Sequence, residues 1–207
     1  QFVFRIPNEL DSCEIAPMLC GGQTVWTPLK EQTKPGDKIG ILGLGGLGHM
    51  AIKFAKAFGN EVIAISSSDS KKDMALEHGA TGFLVHTSDE EMEKAAGTLD
   101  FILVTIATSE TVEFEKFFGL LRPRGTMCFV GMVPKFMIDT FTMGFTMTNC
   151  TTSNTGSIRD MKEMLEFCAK NKIGATVKKT PLSKINDALD ELRSKQSAFR
   201  HVLVNDL

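Results

Sequence analysis

A stretch of closely spaced glycines has the residue types and the spacing needed to bind phosphate. Gly43 lies near the end of an almost unbroken apolar run at 38–44, and Gly45 and Gly48 follow it at the start of a helical pattern. In such a context the first glycine permits a sharp turn, the second lets backbone approach a pyrophosphate, and the third allows tight helix packing. A helix that begins there presents free N–H groups to the anion. We predict a dinucleotide-binding turn with these contacts: Gly43, Gly45, Gly46, Leu47 and Gly48. A glycine-rich turn without a ligand is the alternative.

A cluster of hydroxyl side chains stands where the second strand of such a unit would end. An acidic residue at this place would bind a ribose 2′-hydroxyl and repel a 2′-phosphate. This chain instead has Ser66, Ser67 and Ser68, followed by Lys71 and Lys72. Hydroxyl and ammonium donors suit a dianion, so we predict NADP rather than NAD. The alternatives are a polar loop with two solvated lysines, or a ribose contact from the neighbouring acid, Asp69.

The elements that would position these residues alternate along the chain. Short apolar runs alternate with stretches of helical period, which is typical of parallel βαβ units. The predicted strands are 38–44, 61–66, 82–86, 99–106, 126–132 and one within 146–153. The predicted helices cover 47–58, 70–78, 89–96 and 111–121, a turn occupies 122–125, and Ser157 caps a last helix that buries Met161, Met164, Leu165 and Cys168. The sequence therefore predicts an α/β fold, a doubly wound Rossmann sheet of six parallel strands.

The two ends of the chain read as pieces of an incomplete second domain. Residues 2–7 are strand-like, and 11–32 form a helical stretch interrupted at Gly21-Gly22. After Gly174 the pattern predicts a strand at 175–180 and a final strand at 199–204. Between them lies a helix capped by Ser183, with an inner face of Ile185, Ala188, Leu189 and Leu192. We predict three parts: a linking strand and helix at 1–34, the Rossmann domain at 35–173, and a returning segment at 174–207.

Composition excludes several function classes. The 207 residues carry a net charge of −2 with scattered lysines, so no nucleic-acid surface is predicted. No apolar run approaches the length of a membrane span, and no membrane partner is predicted. Five cysteines without a paired spacing (Cys13, Cys20, Cys128, Cys150, Cys168) argue against disulfides and against a self-contained zinc site. The four histidines show no metal spacing, and His49 is predicted to pack at the start of its helix. A reducing compartment, the cytosol, fits this pattern.

Several segments together resemble the zinc-type medium-chain alcohol dehydrogenases, most closely the cinnamyl alcohol dehydrogenase group. The resemblance is carried by residues 16–26, 43–50, 51–59, 66–72, 95–101, 163–169 and 199–202. They include the stretch Cys20-Gly21-Gly22-Gln23-Thr24 and the helix start at His49-Met50. The resemblance covers essentially the whole chain.

This resemblance implies an NADP(H)-dependent enzyme that interconverts alcohols and aldehydes, with a catalytic zinc that polarises the substrate oxygen. It implies that Cys20 is a zinc ligand and that Thr24 lies beside the nicotinamide. Ser66, Ser67, Ser68 and Lys71 match the 2′-phosphate site, and Ser153 matches a further cofactor contact. Family members pair through the edge of the Rossmann sheet, so a homodimer through 141–149 is also implied.

The chain also departs from the family pattern. A catalytic zinc needs three protein ligands, and the family supplies the others from an N-terminal domain without counterpart here; the start at Gln1 predicts a preceding segment. Zinc is therefore expected only with that domain, and this chain alone is predicted inactive. Val104 replaces an aspartate, and Asn154 replaces a large apolar residue. A catalytically inactive relic that serves as an assembly subunit is one alternative, and a zinc-free reductase of the quinone oxidoreductase type is another.

Overall fold

A parallel β-sheet forms the centre of the molecule. The computed structural model describes residues 3–107, 112–133, 136–194 and 199–206. Within these ranges six parallel strands lie in the order β3-β2-β1-β4-β5-β6. Their bounds are β1 Lys38–Leu42, β2 Glu61–Ser66, β3 Gly82–Val85, β4 Leu99–Val104, β5 Leu121–Phe129 and β6 Asn149–Thr152. The predicted six-stranded Rossmann sheet is confirmed.

Helices connect and cover these strands. In the part of the chain that the structure describes they are α1 Ser12–Ile15, α2 Gly21–Gln32, α3 Gly48–Ala57, α4 Lys72–Glu77, α5 Asp89–Ala95, α6 Glu115–Phe118, α7 Thr140–Thr146, α8 Ile158–Asn171 and α9 Ile185–Arg193. Among the described residues, none of these helices has the length and apolar character needed to cross a bilayer.

The sheet is buried on both faces, which explains the unbroken apolar runs. Along β4, Phe101 and Leu103 belong to one core cluster, whereas Ile102 and Val104 belong to another. This alternation follows from the two-residue period of a strand. Helices α2, α3 and α8 contribute to the first cluster, and the Phe114–Phe118 region contributes to the second.

The start of α8 confirms a predicted cap. The Ser157 hydroxyl accepts a hydrogen bond from the Asp160 N–H, and the Asp160 carboxylate accepts one from the Ser157 N–H. This reciprocal pair satisfies two backbone donors that a helix start would otherwise leave open. The four predicted core residues of α8, namely Met161, Met164, Leu165 and Cys168, are all buried.

The loop predicted at 122–125 is instead part of β5. Leu99 pairs with Leu121 but Phe101 pairs with Thr126, so β5 accommodates its extra residues as a bulge. Arg124 there has a φ of 69°. The preceding helix is a short α6 rather than one over 111–121, and Thr111 itself lies outside the described residues. The predicted strand at 2–7 is also wrong, since residues 3–7 form no strand and residue 2 is not described.

The carboxyl-terminal segment forms a separate small sheet. Strands β7 Val177–Pro181 and β8 Arg200–Val204 pair in parallel. Ser183 does not cap α9, because it lies in a short 3-10 turn and donates its hydroxyl to Asp206 instead. Of the predicted inner face of α9 only Ala188 is buried, and the remaining three side chains, Ile185, Leu189 and Leu192, are 38–48% exposed.

Near the amino terminus, the helical stretch at 11–32 is divided before the two glycines rather than at them. A 3-10 turn, Ala16–Leu19, ends at Cys20, and α2 begins at Gly21. A side chain at Gly22 would press on Met18, so the glycines allow close packing at the helix start.

Candidate functional site

The glycine stretch forms a tight turn between β1 and α3. Gly43 has a φ of +97°, which a side chain would strain, and α3 begins at Gly48. A Cβ on Gly48 would overlap the carbonyl oxygen of Gly43, so strand and helix approach each other as closely as backbone allows. Gly45 is exposed and a Cβ there would meet no atom within 4 Å. The turn therefore has an open outer surface on a rigid base.

Three side chains from different elements hold the carbonyl groups of this turn. Thr105, just after β4, donates its hydroxyl to Gly43 O at 2.9 Å. Lys71 Nζ donates to Leu44 O at 3.2 Å, and the ring of His49 is hydrogen-bonded to Gly45 O through Nδ1 at 3.1 Å. Since a trans peptide is planar, each fixed carbonyl directs the next N–H to the opposite side.

The three N–H groups so directed are those of Leu44, Gly45 and Gly46. Within the described residues, no hydrogen bond leaves the backbone N–H of Leu44, Gly45, Gly46 or Leu47. Free N–H groups at the positive end of a helix dipole form an anion-binding site. Backbone and helix together can therefore bind a phosphate or pyrophosphate at this turn.

The hydroxyl cluster lies next to this turn, at the end of β2. Ser66 is half-buried, whereas Ser67 and Ser68 are exposed. Ser68 exchanges a hydrogen bond of 2.9 Å with the hydroxyl of Ser70, and the Ser67 carbonyl accepts one from Thr87. Lys71 reaches back to Leu44 O, and the Gly43 N–H donates to Ile65 O at 3.1 Å, so both Lys71 and the end of β2 border the turn. The serine cluster and Lys71 thus lie in one segment that begins at the end of β2 and borders the glycine turn.

Arg200, which the sequence analysis did not identify as a site residue, covers the other side of the turn. An ideal Cβ on Gly46 would lie 2.5 Å from Cζ of Arg200, and one on Gly21 would lie 3.2 Å from its Nη2. Nε of Arg200 is buried and has no hydrogen-bond partner among the described residues. A buried, unpaired guanidinium N–H is costly unless an acceptor joins it, so this position suits an anion.

The start of α2 borders the same site. A Cβ on Gly21 would lie 3.3 Å from Leu47 as well as close to Arg200. Thr24 is buried, and both its N–H and its hydroxyl donate to the carbonyl of Cys20 at 2.9 Å. The Cys20 residue is exposed. The predicted positions Cys20 and Thr24 therefore lie one turn apart at a helix start that contacts the glycine turn.

These residues do not make a zinc site by themselves. Among the described residues, no group of three or more His, Cys, Asp or Glu side chains could hold a metal ion. The cysteines of β5 and α8 are poor ligands, since burial raises the pKa of Cys128 and raises that of Cys168 to about 12. Cys20 offers one exposed thiol, whereas a catalytic zinc requires three protein ligands.

The remaining predicted positions lie at the carboxyl ends of strands β4 and β6, at the same end of the sheet as the glycine turn. Ser153 follows β6 and donates its N–H to Phe129 O at 2.9 Å, and Asn154 beside it is exposed. Val104 is fully buried, and its carbonyl accepts N–H groups of Val130 and Gly131. In a parallel sheet, ligands bind in the crevice at this end.

Comparisons with known proteins agree with this geometry. Residues 46–170 match the family model described as zinc-binding dehydrogenase. A probable cinnamyl alcohol dehydrogenase 2 of Picea abies is 40% identical over 98% of this chain and 57% of its own length. A cinnamyl alcohol dehydrogenase structure from Sorghum bicolor superposes with a TM-score of 0.90 at 35% identity, covering 98% of this chain and 58% of that one.

A second solved structure is that of CAD from Helicobacter pylori complexed with NADP(H). It has a TM-score of 0.80 at 30% identity and covers 96% of this chain and 56% of that chain. This chain thus spans a little over half the length of the relatives it matches.

Proposed function

Because this chain belongs to the zinc-binding dehydrogenase family, we propose that it is the NADP(H)-binding part of an alcohol dehydrogenase or aldehyde reductase. The observation that carries the proposal is the glycine turn: Thr105, Lys71 and His49 hold its carbonyls, and no described residue accepts a hydrogen bond from the N–H groups of residues 44–47. Relatives named as cinnamyl alcohol dehydrogenases support a primary alcohol or aldehyde as the small-molecule substrate.

The residues of this chain would bind and orient the cofactor. The free N–H groups and Gly43, Gly45, Gly46, Leu47 and Gly48 would receive the pyrophosphate, and the guanidinium of Arg200 would neutralise part of its charge. Ser66, Ser67, Ser68 and Lys71 would receive the 2′-phosphate, with Thr24 and Ser153 as the remaining contacts. The bound nicotinamide supplies or accepts the hydride of the reaction.

The proposed division of the chain follows from these contacts. The Rossmann unit at 35–173 holds the turn and the serine cluster. The segments 1–34 and 174–207 bring Thr24 and Arg200 to it from outside. We propose that both segments belong with a catalytic domain, which would supply the zinc ligands that the described residues lack.

The same proposal includes a homodimer and a cytosolic location. Strand β6 is an edge strand of the sheet, and the adjacent α7 presents Phe141 and Phe145, which are 72% and 75% exposed and pack on each other at 4.7 Å. An open edge beside exposed aromatic side chains supports pairing with a second copy. The five free thiols support a reducing compartment.

Calorimetric titration of the 207-residue chain with NADPH and NADH tests the proposal. We expect NADPH to bind more tightly than NADH, and we expect the chain alone to oxidise no alcohol. Failure to bind either cofactor would refute the proposed function, and tighter binding of NADH would refute the assignment of the serine cluster.

A further inference from the structure

His49 lies directly beneath the glycine turn and bonds to it twice. Its backbone N–H and its ring Nδ1 lie 3.2 and 3.1 Å from the same oxygen, Gly45 O. Its other ring nitrogen, Nε2, lies 3.1 Å from the backbone N–H of Thr176, which can only donate. Nε2 must therefore be the acceptor and Nδ1 the protonated nitrogen, so His49 is a neutral histidine of defined tautomer.

Thr176 joins His49 to a wider set of hydrogen bonds. Its hydroxyl is 2.8 Å from Nε2 of His78 and 3.0 Å from Nζ of Lys53. Lys53 also donates to Gly174 O at 2.8 Å. Helix α3, the end of α4 and the segment that leads into β7 are thus tied together beneath the turn.

The ring of His49 also contacts the segment that carries Arg200. Its centroid is 4.7 Å from that of Phe199, the residue directly before Arg200, and Phe199 has a φ of 55°. His78 lies edge-on at 5.7 Å. The fully buried His49 side chain therefore makes two contacts around Gly46. It bonds to Gly45 O, which orients the Gly46 N–H, and it packs on Phe199, the neighbour of the arginine whose guanidinium covers Gly46.

We infer that His49 is a positioning residue for the pyrophosphate, which holds the Gly45–Gly46 peptide and the Phe199–Arg200 segment in the arrangement that binds it. The inference rests on the proposed NADP(H) binding. The physical reason is the freedom of glycine: a peptide between two glycines rotates easily, and the backbone N–H of His49 gives Gly45 O only a single bond. The ring adds a second bond to the same oxygen from below, on the side away from the ligand, and so fixes the direction of the Gly46 N–H.

The environment keeps His49 in the required form. The pKa of His49 is lowered to about 4, mainly by burial; the bond to Gly45 opposes this shift, and the charges of Lys53, His78 and Arg200 add to it. An imidazolium would turn Nε2 into a donor that faces the Thr176 N–H. The neutral ring is therefore the form that fits both contacts.

Two ligands separate positioning from simple packing. NADPH contains the pyrophosphate, whereas adenosine 2′-monophosphate contains only the 2′-phosphate end and does not need the glycine turn. A variant that loses folded structure should bind both ligands less tightly. A variant that loses only the geometry of the turn should bind NADPH less tightly and adenosine 2′-monophosphate with almost unchanged affinity.

Three substitutions test the two side-chain bonds of His49 separately. His49→Phe keeps a ring but removes both side-chain bonds. His49→Asn places an amide donor where Nδ1 stands, so that it can still reach Gly45 O. His49→Gln places its amide near the position of Nε2, so that it can still accept from Thr176. We expect the Kd of NADPH to rise about tenfold in His49→Phe and His49→Gln, and about twofold or less in His49→Asn.

His78→Phe is the matched control, because it also removes a histidine bond to Thr176 but makes no contact with Gly45. It should lower thermal stability without changing the ratio of the two Kd values. An unchanged NADPH affinity in His49→Gln, or an equal loss for both ligands in every His49 variant, would overturn the inference. His49→Asn and His49→Gln keep the test valid if His49→Phe does not fold. Failure of the unsubstituted chain to bind NADPH would instead overturn the proposed function.

Discussion

The guanidinium of Arg200 lies against Gly46, so closely that a Cβ on that glycine would come within 2.5 Å of Cζ. The last strand of the chain thus covers a turn that follows the first strand of the large sheet. The buried Nε of Arg200 has no hydrogen-bond partner among the described residues. Pyrophosphate binding would give it one.

Replacement of Arg200 should therefore weaken cofactor binding. We expect Arg200→Gln to raise the Kd of NADPH at least about tenfold, because a charge-assisted hydrogen bond contributes about 1.5–3 kcal/mol. Titration calorimetry measures the change. The control is Arg193→Gln, since the Arg193 side chain is 76% exposed and, among the described residues, pairs with the exposed Asp190. Equal affinities of the Arg200→Gln variant and the original chain would contradict the assigned role.

The open space at Gly45 should be the place of the ligand. A Cβ there would meet no described atom within 4 Å, so Gly45→Ala should leave the melting temperature nearly unchanged. It should nevertheless lower NADPH affinity, because the methyl group would occupy the approach to the pyrophosphate. Gly144→Ala on α7 is the control, as a Cβ there is equally unobstructed. Undiminished binding in Gly45→Ala would place the ligand elsewhere.

Lys71 should determine the preference for a 2′-phosphate. Its ammonium group bonds to Leu44 O in the turn, and Lys71 follows the serine cluster by three residues in the chain; one charge-assisted bond to the phosphate should account for about tenfold in affinity. Lys71→Gln should reduce NADPH affinity by this factor with a smaller effect on NADH. Fluorescence titration with both cofactors measures the ratio. The neighbouring Lys72→Gln should leave it unchanged, and an equal effect of the two substitutions would refute the assignment.

The buried His49 should make stability depend on pH. Its pKa is about 4 in the folded chain against an ordinary value of 6.5, mainly because burial disfavours the charged form. Between these values the unfolded chain binds a proton that the folded chain does not, so stability is fully present above about pH 6.5 and falls as pH falls towards 4. The loss is on the order of 3 kcal/mol. Urea unfolding at pH 7 and pH 4.5 should show a smaller difference in His49→Asn, and an identical difference would contradict this origin.

The exposed aromatic pair on α7 should control association. Phe141→Asp would put a charge into an apolar contact beside the β6 edge, so it should shift a dimer towards monomer in sedimentation experiments at micromolar concentration. Leu76→Asp is the control, because Leu76 is 42% exposed on α4, which flanks neither β6 nor α7. A monomer in the original chain would contradict the homodimer.

Local patterns were sufficient for the elements of the Rossmann unit. Strand β2 matches its predicted bounds, and the Ser157 cap and the buried face of α8 were identified from spacing alone. Errors arose where local rules compete with pairing. Residues 122–125 have the composition of a turn, yet they form a bulge within β5 because β5 pairs with β4 on both sides of them. Ser183 has the type of a helix cap, yet Asp206 binds its hydroxyl.

What the sequence determined by itself is therefore the alternation of strands and helices, the glycine turn and the serine cluster. These depend on residues close to one another in the chain, and periodicity and glycine spacing record them directly. Only the tertiary structure decided which distant groups meet at the turn: Thr105, Lys71 and His49 on its carbonyls, and Arg200 over Gly46. The pairing of β7 with β8 brings Arg200 there, and such pairing between distant segments leaves no local periodicity from which it could be read.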